Sequence, residues 1–331
     1  MGKHRTRAES LLVLVTLVWG GTFAVIQWGL EDVSPMLMVA IRFLLAALMA
    51  WPILVRTPKN SSETVSEQPL PPSPFLAKTW IWGAVIGLGM LAGYAGQTIG
   101  LQYTTAARSG FITFTFALYI PFLQFFILGK KPGLGNLIGL FAVMYGLSFI
   151  TDPASTRLSF QEFSPLRILR VGRELLTGGM NTGDLFTLAG AVGYAFYVVL
   201  LDKATRVCHP GAVTVVQMLS CGVFALCLAF VVEEPYLHLS PRFFLSMAYL
   251  VVLGSVLALA LMNWFQRELS PLRAVLIYAL EPVFAALIGW LAFREGMNVR
   301  EITGALCILS GILLSDLWEM MKQRFFPKKD A

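Results

Sequence analysis

Long uncharged apolar runs alternate with short charged clusters along the whole chain. Thr79–Ala107 carries no charged side chain, and neither does Phe243–Gln266. A helix needs about 20 apolar residues to cross the hydrocarbon core of a bilayer. Inside lipid it also satisfies every backbone polar group within its own segment. Ten such segments emerge: Ser10–Leu30, Pro35–Val55, Trp80–Leu101, Ser109–Leu128, Leu134–Thr151, Asp184–Leu201, Gly211–Val232, Phe243–Gln266, Ala274–Phe293 and Ile302–Met321. They predict an all-α integral membrane protein. Two connections are long. Arg56–Thr79, rich in Pro, Ser and Glu, reads as a flexible loop. Asp152–Gly183 contains Ser164-Pro165, a helix start signal, followed by Arg167, Arg170 and Arg173 with Ile168, Val171 and Leu175 on another face. That pattern fits a short helix lying on the membrane surface, and an ordinary solvated loop fits it equally well.

The chain repeats itself. Gly139 and Gly146 in the fifth segment recur as Gly304 and Gly311 in the tenth, an offset of 165 shared by Arg108 and Arg273. Earlier in each half the offset is 175, matching Pro35 to Pro210 and Arg42 to Gln217. A shorter loop after the seventh segment absorbs the difference. The division expected is 1–151, a connecting loop 152–183, and 184–331. Five is an odd number, so the second copy enters the membrane from the opposite side: ten transmembrane helices as two inverted five-helix repeats. Inverted repeats are characteristic of secondary transporters, with the substrate site near the midplane between the halves.

Composition sharpens this picture. Of 331 residues 56% are hydrophobic and only 13% charged, where soluble domains carry about a quarter charged. The net charge of +6 would suggest nucleic acid in a soluble protein. Here the basic residues sit at helix ends, where topology and anionic lipid explain them. With both termini inside, 16 Lys and Arg fall in cytoplasmic segments and 8 in outer ones, which favours that orientation. The basic start Met1-Gly2-Lys3-His4-Arg5 precedes a run too long for a signal peptide, and no small-x-small cleavage site follows it. Cys208, Cys221, Cys227 and Cys307 form no CxxC pair, and His4, His209 and His238 lie at or beyond helix ends. No metal, cofactor or catalytic group is expected.

Several motifs, in order, resemble one family. They are Leu17-Val18-Trp19-Gly20-Gly21-Thr22-Phe23, Ile41-Arg42-Phe43 after Pro35, Gly100-Leu101-Gln102-Tyr103-Thr104-Thr105-Ala106 leading to Ser109-Gly110-Phe111-Ile112-Thr113, Leu280-Glu281-Pro282-Val283-Phe284, and Gly304 to Gly311. The sequence is similar over nearly its whole length to the drug/metabolite transporter superfamily, EamA type. The resemblance implies a ten-helix inverted-repeat carrier around a central cavity, usually exporting small organic metabolites.

Glu281 is the residue that most needs a reason. It stands near the bilayer centre, where a charge costs several kcal/mol. Its offset partner is Phe116, so the repeat does not require it. One reading makes it a coupling carboxylate for protons or for a substrate amine, hydrogen-bonded by Tyr278 one turn earlier. The other makes it the ion-pair partner of Arg42, and the two predict opposite protonation at pH 7. Arg42 itself is read as snorkelling, pairing or contacting substrate. Gly89, Gly93, Gly96 and Gly100 fall within about 60° of arc and form a packing stripe. Tyr94 and Gln97 lie on an adjacent face. Phe111, Thr115, Tyr119, Phe122 and Phe126 form an aromatic stripe that faces lipid by default, although Thr115 and Tyr119 suit a cavity wall. With Trp19, Asn263 and Tyr278 these give the substrate-binding candidates Tyr94, Gln97, Thr115, Tyr119, Asn263, Tyr278 and Trp19, with Glu281 and Arg42 for coupling. The expected partners are a small-molecule substrate, protons and the bilayer, in a monomer or homodimer and without nucleic acid. A membrane enzyme acting on lipid or isoprenoid usually shows paired Asp or His clusters at the membrane surface, and the absence of paired intramembrane carboxylates and of intramembrane His weighs against it. A channel made of identical subunits matches an inverted repeat poorly.

Overall fold

The computed structural model describes residues 2–54, 77–104, 106–150, 169, 180–284, 287–288 and 299–325. The possible surface helix around Arg167, Arg170 and Arg173, and most of the Arg56–Thr79 connection, lie outside them. The described residues form ten spans. These are α1 (Gly2–Gly29), α2 (Pro35–Leu54), α3 (Ala77–Gly100), the pair α4 (Ala106–Phe114) and α5 (Phe116–Leu128), α6 (Leu134–Ile150), α7 (Thr182–Thr205) and α8 (Pro210–Val232). The eighth span joins α9 (Pro241–Ala248), a π-helical stretch (Tyr249–Leu257) and α10 (Ala258–Phe265). The ninth begins with α11 (Pro271–Tyr278), and α12 (Val299–Phe325) is the tenth. Six are long and apolar enough to cross a membrane. Large apolar side chains cover the outside, with Leu48, Phe126 and Val231 more than 70% exposed. Such a surface requires lipid.

Polar caps mark where helices emerge. Ser240-Pro241 and Ser270-Pro271 start α9 and α11, each serine hydroxyl accepting from the backbone N–H three residues on, at 3.1 and 3.2 Å. Proline at the first helical position gives up an N–H that had no helical partner anyway. Asn181 and Asp184 form a reciprocal capping box on α7.

The spans pack in a scheme that is unchanged when each is exchanged for the one five later. α2 packs on α8, and α6 on α12. α3 against α7 is matched by the eighth span against α1, and α3 against α8 by the π stretch against α2. Glycines set the closest approaches. A Cβ on Gly139 would lie 2.9 Å from the Gly311 carbonyl, and one on Gly146 2.6 Å from that of Gly304. The repeat-related glycines therefore meet crosswise between antiparallel helices. The stripe Gly89–Gly100 on α3 is seated against Gly183, Gly190 and Gly193 of α7. Lipid offers no hydrophobic drive between helices, so close backbone packing of this kind holds them together.

Among the described residues two spans are interrupted, a departure from the unbroken helices predicted. At Thr115 the backbone changes to i→i−3 hydrogen bonds (Thr115 N to Ile112 O, 3.1 Å), and the Thr115 hydroxyl donates to the same carbonyl at 2.6 Å. The ninth span turns at Ala279–Leu280, with Leu280 N bonded to Ile277 O at 3.0 Å. Pro282 follows and cannot donate to the Tyr278 carbonyl. Thr115 and Leu280 are 165 apart, so the breaks occupy equivalent places in the two halves.

Candidate functional site

Both breaks border a cavity of about 60 Å³ between the halves. The residues just beyond them, Phe116 and Glu281, line it, and so do Thr113 and Tyr278 just before. Each of these pairs is separated by 165, as are Gln97 and Met262 in the same wall. Trp19 with Tyr194, and Thr22 with Tyr197, also line it and are separated by 175. The cavity is thus built from equivalent positions of the two halves, with Tyr94 and Val198 completing it.

Most of its polar atoms are held by protein. Trp19 Nε1 donates to the Gly254 carbonyl at 3.2 Å, and the Thr22 hydroxyl to the Trp19 carbonyl at 2.8 Å. Tyr194 donates to Gln97 Oε1 at 2.7 Å, and Tyr278 to Gln266 Oε1 at 2.9 Å. Among the described residues no hydrogen bond or ion pair reaches the Glu281 carboxylate, which is half-buried and borders the cavity.

Of the sequence candidates, the structure brings Trp19, Tyr94, Gln97, Tyr278 and Glu281 together in this cavity. Arg42 stands behind the wall. It is 2% exposed, donates Nε to Ser255 Oγ (2.8 Å) and Nη2 to the Gly254 carbonyl (3.1 Å), and stacks on Phe43 and Tyr94. Both acceptors lie in the π-helical stretch, where Ser255 Oγ in turn donates to Leu250 O at 2.8 Å and the Gly254 carbonyl also accepts from Trp19 Nε1. Arg42 therefore makes no ion pair with Glu281 among the described residues, and the Tyr278 hydroxyl is directed to Gln266 rather than to Glu281. The other three candidates lie elsewhere. Tyr119 points outward with Phe122 and Phe126. Thr115 is bonded back to Ile112. Asn263, fully buried, donates to Thr214 Oγ1 at 2.7 Å. The Phe111 side chain is outside the described residues. One residue of shift turns a helix by 100°, which is why Met262 and Phe116 line the cavity while Asn263 and Thr115 do not. Thr22, Thr113, Phe116, Tyr194, Tyr197 and Met262 were missed from sequence. The offsets applied to Trp19, Gln97, Tyr278 and Glu281 point to four of them.

The profile of the EamA-like transporter family matches residues 6–152 and again 181–315, once in each half. The chain belongs to this family. It is therefore a multi-pass membrane transporter of the drug/metabolite type. It is similar to an uncharacterized transporter of Archaeoglobus fulgidus, 25% identical over 96% of this chain and 88% of that one. It is also similar to the uncharacterized inner membrane transporter YedA of Escherichia coli K12, 25% identical over 96% of this chain and 92% of that one. A crystal structure of a chain 18% identical superposes with a TM-score of 0.69 over 96% of this chain and 98% of the other, so the fold is shared.

Polar contacts tie this EamA-like chain together at both ends. At one, Arg242 binds Asp32 (Nε to Oδ2, 2.6 Å) and Glu31, while Ser240 donates to Asp32 at 2.7 Å. These bonds hold the Asp32 carboxyl down at about 2. Glu233 caps the start of α2, accepting from Ser34 Oγ at 2.6 Å and from two backbone N–H groups. At the other end, the fully buried Asp202 carboxylate binds Lys130 (3.1 Å) and Arg206 (2.8 Å), and Glu9 binds Arg273 at 3.1 Å.

Proposed function

We propose that this chain is a secondary transporter that carries small amphipathic organic metabolites across the cytoplasmic membrane by alternating access, as export or exchange. Its halves, 1–151 and 184–331, act as inverted repeats that rock about the central cavity. The observation that carries this reading is the make-up of the cavity, whose walls come in pairs spaced by the repeat offsets. A site on such an axis meets equivalent surroundings when the halves exchange roles, which is what alternating access needs. Both termini are assigned to the cytoplasm, which places the Asp32–Arg242 cluster outside. A reporter fused after Ala331 that is active only outside would refute that orientation.

Glu281 is assigned the coupling role. Its neighbours in the cavity are the neutral side chains of Tyr94, Tyr194, Tyr197 and Tyr278, with Arg42 behind Tyr94. Protonation removes its charge and most of the cost of keeping it away from water, and so biases which way the halves rock. One charge moved across 100 mV supplies about 2.3 kcal/mol, enough for a gradient of roughly 50-fold. The test is Glu281→Gln in reconstituted vesicles. Loss of pH-dependent transport with retained substrate exchange is expected. Unchanged pH dependence refutes the coupling assignment.

A further inference from the structure

The cavity has an electrostatic character that selects its ligand. Glu281 is its one charged lining residue, and neither Lys nor Arg lines it among the described residues. Around it stand the rings of Trp19, Tyr94, Tyr194, Tyr197 and Tyr278. Trp19 and Tyr278 meet edge to face at 5.6 Å, and Tyr94 and Tyr194 at 5.3 Å. The indole N–H of Trp19 and the hydroxyls of Tyr194 and Tyr278 are committed to protein acceptors. The rings are electron-rich surfaces for an occupant, and the Thr113 hydroxyl, buried and without a hydrogen-bond partner among the described residues, is a neutral polar group left to it. A carboxylate or phosphate brought here meets Glu281 with no cation in the lining to offset it. Arg42 stands outside the lining, its Nε and Nη2 donating to Ser255 and Gly254 and its guanidinium over Tyr94, 4.8 Å from the ring centre. An ammonium meets a carboxylate that has no partner among the described residues, beside several aromatic rings.

We propose that the cavity binds a small organic monocation, an alkylammonium without a carboxylate of its own. The assignment rests on the transporter reading and specifies its substrate class. The ammonium pairs with Glu281 and the carbon skeleton lies against the aromatic walls. The space, about 60 Å³, holds roughly four to six waters at about 10–15 Å³ each by the same measure, so the ligand is of the size of a simple amine.

Three small probes related by loss of one charged group test this: propylamine, 2-aminobutyrate and butyrate, titrated at pH 7.5 into the purified full chain in nanodiscs by calorimetry. Propylamine is expected to bind at least about tenfold tighter than 2-aminobutyrate, and butyrate not at all. Glu281→Gln should weaken propylamine by about tenfold or more. Trp19→Leu, which keeps the charge and removes a ring, should weaken it several-fold. The proposal is overturned if propylamine does not bind, if 2-aminobutyrate or butyrate binds as tightly, or if both variants bind the amine as the parent does. Counterflow separates this from the broader reading. Counterflow of 2-aminobutyrate without amine binding removes the cation assignment and leaves the transporter standing. Amine binding without counterflow of any of the three supports the assignment and counts against the transporter cycle alone.

Discussion

An alanine at Gly96 puts a methyl group against the backbone of α7 at a close approach of α3 and α7. Its Cβ would stand 2.7 Å from the Cα and N of Gly190 and against the Phe186 carbonyl. These are backbone atoms of another helix and cannot rotate away. Ordinary contact begins near 3.4 Å, so the helices must separate by about 0.7 Å or more. A gap of about 0.5–1 Å forfeits a quarter to a half of each atom pair's attraction, and in lipid that attraction is most of what holds two helices together. Overpacking costs about 1–3 kcal/mol. Helix propensity returns at most about 1 kcal/mol for glycine to alanine, so packing wins and Gly96→Ala destabilises. Gly110→Ala is the control. Among the described residues its Cβ meets only Phe23 Cζ at 3.9 Å, so the propensity term dominates and stabilises by about 0.5–1 kcal/mol. Thermal unfolding in detergent, followed by a thiol-reactive dye that reports the buried Cys208 and Cys221, reads both. The variants should shift the midpoint in opposite directions. Gly96→Ala should also weaken ligand binding, because Gln97 on α3 and Tyr194 on α7 meet across the same interface. A Gly96→Ala protein as stable as the parent would refute the close-packing account.

Other outcomes follow from the contacts. Arg42→Lys keeps the charge but cannot bond Ser255 and Gly254 with a planar fork while stacking on Tyr94, so a loss of about 1.5–3 kcal/mol in the same unfolding assay is expected. Arg273 is 6% exposed and Arg5 41%, and both bind Glu9; Arg5→Gln should cost under about 1 kcal/mol and Arg273→Gln clearly more, and equal effects would contradict the burial argument. The Asp32 carboxyl sits at about 2 instead of 3.8, so its contribution to stability is complete above about pH 4 and disappears as pH falls towards 2. Unfolding midpoints of the parent and Asp32→Asn should differ most at pH 6, by about half as much at pH 3, and converge only at pH 2 and below.

The apolar runs by themselves determined that the chain is a helical membrane protein of ten spans, because only helices satisfy their backbone inside a segment of that length. The recurrence of Gly139 and Gly146 as Gly304 and Gly311 foretold halves that pack alike, and the glycine stripe on α3 foretold a close neighbour. Which face of each helix turns inward was not legible. In lipid both faces are apolar, so periodicity does not separate core from surface, and Tyr119 could be mistaken for a cavity residue one turn from Phe116. The partner of Arg42 was also hidden. Its acceptors lie in the π stretch of the eighth span, and no local pattern in Tyr249–Leu257 announces that geometry. Glu281 could be singled out from sequence because a midplane charge is costly wherever it points. That it borders a cavity without a partner among the described residues was decided only when tertiary packing directed Arg42 and Tyr278 to other groups.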